Sequence, residues 1–104
     1  MGKQQRDIGM RFERKVVNLA KDAGLEAYRV PLSGAAEGFK GDVIIKKGRE
    51  ILTLECKNRA GGFKFLYDNL EDVDALVVQQ KYQQPLAVIP YELFLSFVKE
   101  NKDG

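Results

Sequence analysis

The sequence predicts an α/β domain in which helices flank a mixed five-stranded sheet, in the order αβββαββα. Three observations predict it. The opening stretch repeats apolar residues at helical spacing, and the middle holds two β-rich runs around a glycine turn. The last third alternates short apolar runs with polar turns before a final apolar helix. With 104 residues the chain is expected to be one domain, 1–104, since domains commonly run to ~100–150 residues.

Each element has its own signal. Over residues 7–23, Ile8, Phe12, Val16, Leu19, Ala20 and Ala23 recur on one helical face, with Asp7 as a cap and Gly24 as a stop. Residues 26–30 form a short strand closed by Pro31, and the glycine-rich 33–41 segment is a loop. Residues 42–47 and 50–57 are two strands around Gly48-Arg49, a two-residue hairpin turn with glycine first, as type II′ prefers. A short helix follows over 63–70, then a buried strand at 74–78, a polar turn, a strand at 86–89 and a helix from Tyr91, just after Pro90.

Composition removes many chemistries. The chain has no histidine, which excludes Ser/His/Asp and Cys/His catalysis, imidazole zinc sites and histidine-dependent nucleases. Chemistry must then rest on carboxylates, lysine, hydroxyls and a hard metal ion. The single cysteine, Cys56, cannot form an internal disulfide and fits a reducing, cytoplasmic setting. No apolar run is long enough to cross a bilayer, no secretory pattern opens the chain, and residues 57–64 fail the phosphate-loop pattern of nucleotide-binding proteins.

Charge is uneven although the net is only +2. Residues 1–59 hold 13 Lys and Arg against 8 Asp and Glu, whereas residues 60–104 hold 4 against 7. A basic first half suits a polyanion-binding face, or simply a solvated basic helix.

The hairpin turn makes a geometric prediction. With Lys47 and Glu50 closing it, Asp42 pairs directly with Glu55, and Lys57 shares their face two residues on. Val43, Ile45, Leu52, Leu54 and Cys56 take the other face and read as core. Opposed carboxylates repel. Either a divalent cation offsets that cost, or Lys57 neutralises one acid and water the other. Glu13 is a third acid: its helical neighbours Gly9, Met10, Val16 and Val17 include no base, and it lies at the edge of the apolar stripe. An unpartnered charge there is costly unless it serves a metal site, its water shell, or an exposed boundary.

Asp42, twelve intervening residues and then Glu55-Cys56-Lys57 resemble the PD-(D/E)XK nuclease signature. Phe12-Glu13-Arg14 within the first helix and Arg29-Val30-Pro31-Leu32-Ser33-Gly34 ahead of the aspartate narrow the resemblance to archaeal-type Holliday junction resolvases, phage-carried versions included. It covers residues 6–60 by motif. Gly41 stands where the signature has proline, and the acidic 63–90 segment departs from the archaeal pattern.

The resemblance implies a restriction-endonuclease-like core and a homodimeric, Mg²⁺-dependent endonuclease acting on four-way DNA in recombination and repair, with Mn²⁺ as substitute. It implies a cytoplasmic enzyme, in the host cytoplasm for a phage-carried version. Asp42, Glu55 and the main-chain carbonyl of Cys56 would bind the metal, with Glu13 acting through a water or a second ion. Lys57 would handle the attacking water or the transition state, and Ser33 would be catalytic or touch phosphate. Arg11, Arg14, Lys15, Arg29, Lys40 and Arg59 are the further DNA-contact candidates. Other endonucleases of the same superfamily (restriction-like, repair or nicking) and a non-catalytic DNA-binding subunit are the alternatives. The last helix, with Tyr91, Leu93, Phe94, Leu95, Phe97 and Val98 around much of its circumference, serves either a subunit contact or two-sided packing.

Overall fold

A computed structural model describes residues 2–31 and 41–100. The elements are α1 (Gly2–Asp22), β1 (Glu26–Arg29), β2 (Val43–Lys47), β3 (Glu50–Leu54), α2 (Lys64–Asn69), β4 (Leu76–Val78), β5 (Leu86–Val88) and α3 (Tyr91–Glu100). Their order is the expected one. The chain forms two compact units, one of Met1–Asn58 with Leu95–Gly104 and the other of Arg59–Phe94.

In the first unit, α1 runs past the expected start, so Asp7 lies inside the helix rather than capping it. Lys3, Gln4, Gln5 and Arg6 are good helix formers, and nothing among them stops the helix. Its C-terminus closes as a Schellman motif. Gly24, at φ 91°, donates its N–H to the Lys21 carbonyl, and Leu25 donates to Ala20. Val16, Val17 and Ala20 form the buried stripe of α1, which packs on β1 and β2.

The strands β1, β2 and β3 form an antiparallel sheet with β2 in the middle. Val43, Ile44 and Ile45 are successive residues and therefore point to alternate faces, yet each is at most 1% exposed. Both faces of β2 are thus covered, and burying each side chain contributes about 1.5–3 kcal/mol. Gly48 has φ 59° while Arg49 stays at negative φ, in keeping with the type II′ turn. The register is the predicted one from Lys47↔Glu50 to Val43↔Leu54.

The second unit holds α2, the antiparallel β4–β5 hairpin and the start of α3. The five strands therefore do not make one mixed sheet: among the described residues they form a three-stranded and a two-stranded sheet, both antiparallel. The three-residue strands β4 and β5 satisfy each other across the turn between them. The strand expected to be buried at 74–78 is shorter and half-exposed, with Val77 67% exposed. Pro90 opens α3 by accepting the Leu93 and Phe94 N–H groups through its carbonyl. Leu95 is the buried residue of α3, whereas Phe97 is exposed. None of the described helices is long and apolar enough to cross a membrane.

Candidate active site at the hairpin end

The site is built where β2 and β3 stop pairing. The ladder ends at Val43↔Leu54, one pair before the acids, so Glu55, Cys56 and Lys57 follow β3 rather than extending it. The reason is local. Asp42 donates its N–H to the Leu54 carbonyl at 2.7 Å, one residue short of the register that would pair it with Glu55. Its side chain then reaches across, Oδ2 accepting the Cys56 N–H at 2.8 Å. A carboxylate oxygen stands in for a strand carbonyl, which fixes Asp42 beside the Glu55–Lys57 segment.

Gly41 makes this close approach possible. Its φ is 88°, and a Cβ there would lie 2.9 Å from the Leu54 carbonyl oxygen. Proline, locked near −65°, could not adopt that backbone, so the glycine found in place of the signature proline has a physical cause.

Lys57 Nζ lies 3.3 Å from Glu55 Oε2, as their shared face predicts. Both side chains are more than half exposed, so the pair adds little stability and is free to re-pair with a ligand. Cys56 is half-buried, and its thiol is pushed up to about 11 by burial and by the negative charges of Asp42, Glu13 and Glu55. The same effect brings three carboxylates from α1, the β2 edge and the post-β3 segment to bear on one thiol.

Glu13 is not unpartnered. Arg29 Nε donates to Glu13 Oε1 at 3.0 Å, from β1 rather than from the glutamate's own helix. Sequence reading missed this pair, although a signal existed: Arg29 alternates with the buried Ala27 and so points to the α1 side of the sheet. Arg29, expected to contact phosphate, has one donor committed to Glu13.

Arg11, Arg14 and Lys15 are all exposed, at spacings that put them on one outward side of α1, away from Val16, Val17 and Ala20. Arg59 belongs to the second unit, where its guanidinium lies 5.7 Å from the Phe63 ring centre. Ser33 and Lys40 fall outside the described residues. Among the described residues, no three His, Cys, Asp or Glu side chains converge as a closed metal site.

An α-β-β-β unit with two acids and a lysine at a hairpin end, and a helix glutamate paired to a β1 arginine, is compatible with a nuclease-like fold. Residues 4–90 match the archaeal Holliday junction resolvase (Hjc) family, and the chain belongs to that family. The match runs through the acidic 63–90 segment, beyond the motif-bearing residues 6–60. Among curated proteins, crossover junction endodeoxyribonuclease Hje of Saccharolobus solfataricus is 36% identical over 53 residues, 51% of this chain and 39% of that protein. Hje of Sulfolobus acidocaldarius is also 36% identical over 53 residues, 51% of this chain and 38% of its own length. The chain thus matches about two-fifths of the length of these relatives. No solved structure matches significantly.

Proposed function

We propose that this chain is a single-domain, structure-selective and metal-dependent DNA endonuclease that resolves four-way junctions by paired phosphodiester hydrolysis. One observation carries the reading: in a chain of the resolvase family, Asp42 is anchored by Cys56 next to Glu55 and its Lys57 partner.

The donors suit a hard divalent cation. Asp42 keeps Oδ1 beyond its bond to Cys56, Glu55 is exposed, and no imidazole competes. Mg²⁺ needs only one or two carboxylates, with substrate phosphate and water completing its shell, so a closed cage of three side chains is not required. Asp42, Glu55 and the Cys56 carbonyl would hold it, with Mn²⁺ substituting. When bound, the cation lowers the pKa of a water and offsets charge on the phosphate. Lys57, exposed and only loosely held by Glu55, orients or deprotonates the attacking water, or meets the developing negative charge. Arg11, Arg14 and Lys15 grip backbone phosphates from α1, and Ser33, Lys40 and Arg59 are further contacts.

Two symmetric cuts call for a twofold homodimer, and the exposed Phe97 on α3 supports such a contact. The reduced lone cysteine is in keeping with a cytoplasmic setting.

The test is incubation of an end-labelled immobile four-way junction and its separate duplex arms, with and without Mg²⁺, read on a denaturing gel. Symmetric, Mg²⁺-dependent cuts in the junction and none in the arms are expected. Equal cutting of linear duplex would favour a restriction-like, repair or nicking enzyme, and tight binding without cutting would favour a DNA-binding subunit.

A further inference from the structure

We propose that Tyr82 recognises the branch of the DNA: its ring stacks on a base left open where strands exchange, and Lys81 meets the phosphate beside it. The inference rests on the reading of this chain as a junction endonuclease.

Tyr82 lies at the closed end of the β4–β5 hairpin, in the loop between Val78 and Leu86. Its side chain is 90% exposed, the most of any large apolar residue among those described. The backbone beneath it is nevertheless fixed. Gln83 donates its N–H to the Gln80 carbonyl at 2.9 Å, closing a turn whose third residue, Tyr82, has φ 69°. That is a type II turn, and its third position favours glycine or asparagine. A bulky ring on a left-handed backbone is strained. Gln79 Nε2 braces the turn by donating to the Gln83 carbonyl at 3.0 Å. Strain kept at a residue that contributes almost nothing to a core points to function rather than folding.

The charge around the ring says what it would meet. Lys81 Nζ lies 5.2 Å from the ring centre. It is the only charged residue between Asp74 and Glu92, and Gln79, Gln80, Gln83 and Gln84 supply amides on either side. Residues 59–94 carry five acids against three bases, so this tip is a positive spot in an acidic unit. An open aromatic face beside a cation suits a nucleobase and its phosphate, whatever the base, because every base has a π-face. Within a continuous duplex each base is covered by its neighbours, whereas a strand exchange can leave one face open. The ring therefore tells branch from arm, which phosphate contacts from Arg14 and Lys15 cannot do.

The test compares wild type, Tyr82→Phe, Tyr82→Ala and Tyr82→Gly in EDTA, by native-gel affinity for a four-way junction and for relaxed closed-circular duplex, which has no open base faces at ends. Tyr82→Ala and Tyr82→Gly should each bind the junction about 5-fold more weakly or worse, with duplex affinity unchanged, and Tyr82→Phe should match wild type. Tyr82→Gly should also melt at a higher temperature than wild type, because glycine relieves the turn. Photo-cross-linking from 5-iododeoxyuridine should label Tyr82 when the iodinated base is at the branch and not when it is mid-arm. Unchanged junction affinity in Tyr82→Ala, an equal loss on duplex, or equal labelling from mid-arm would overturn this role and leave the proposed activity standing. A lower melting temperature in Tyr82→Gly, or a change of oligomeric state in Tyr82→Ala, would assign the ring to the fold or to a subunit contact and overturn it as well. No junction binding by wild type would overturn the proposed function and this role together.

Discussion

Asp42 and Cys56 are joined by a hydrogen bond in which a side-chain carboxylate replaces a strand carbonyl, Oδ2 accepting the Cys56 main-chain N–H at 2.8 Å. The bond serves structure and chemistry together, since it ends the hairpin ladder and leaves the other carboxylate oxygen for a ligand.

These two roles separate by substitution. Asp42→Asn retains an oxygen for the Cys56 N–H, whereas Asp42→Ala leaves that N–H without its partner. Asp42→Ala should therefore be destabilised by about 1–3 kcal/mol, and Asp42→Asn by well under half of that. Thermal melts in EDTA check this, and equal losses in both variants would count against the clamp.

Gly41 and Gly48 both sit at positive φ but differ in surroundings. A Cβ at Gly41 meets the Leu54 carbonyl, whereas one at Gly48 meets nothing within 4 Å. Gly48→Ala should cost about 1–2 kcal/mol from the left-handed backbone alone. Gly41→Ala should cost more and also lower cleavage, because the Asp42 bond moves with the backbone. Denaturant melts with a paired cleavage assay read both effects.

The Cys56 thiol, raised to about 11 from an ordinary 9.0, stays protonated at neutral pH. Iodoacetamide should modify the folded protein very slowly at pH 7.5, with the rate rising through pH 11, against a midpoint near 9 in denaturant. Because the folded form holds this proton more tightly, its stabilising contribution is complete below pH 9 and is lost as pH rises toward 11. A folded-state midpoint below 9 would contradict the burial and negative charge that act on the thiol.

Arg14 and Lys15 test the nucleic-acid face. Replacing both with Gln should weaken junction binding and flatten its dependence on salt, by roughly 0.9 in log–log slope for each phosphate no longer neutralised. Fluorescence anisotropy across a salt series measures it, and an unchanged slope would move the face elsewhere.

Much of the site was legible in the sequence because hairpin register follows from turn length. Gly48-Arg49 set the pairing, and the pairing put Asp42 at the strand end carrying Glu55 and Lys57. What pairing rules could not give was the last rung. There the Asp42 side chain competes with the ladder, so Glu55–Lys57 leave the strand. Glu13 looked unpartnered because helical spacing sees only α1, and its partner Arg29 arrives from β1 by tertiary packing. The single five-stranded sheet failed for a similar reason, as nothing in the runs at 76–78 and 86–88 states which edge they will join.

The most direct measurement of the central claim compares wild type with Asp42→Asn on one labelled four-way junction in Mg²⁺, scoring cuts on a denaturing gel and binding on a native one. The acid pair predicts that Asp42→Asn loses cleavage by at least ~10²-fold, the scale of a lost electrostatic stabiliser. Its junction affinity should equal or exceed that of wild type, because a negative charge beside phosphate is removed. Wild-type cleavage by the folded Asp42→Asn protein would contradict the account.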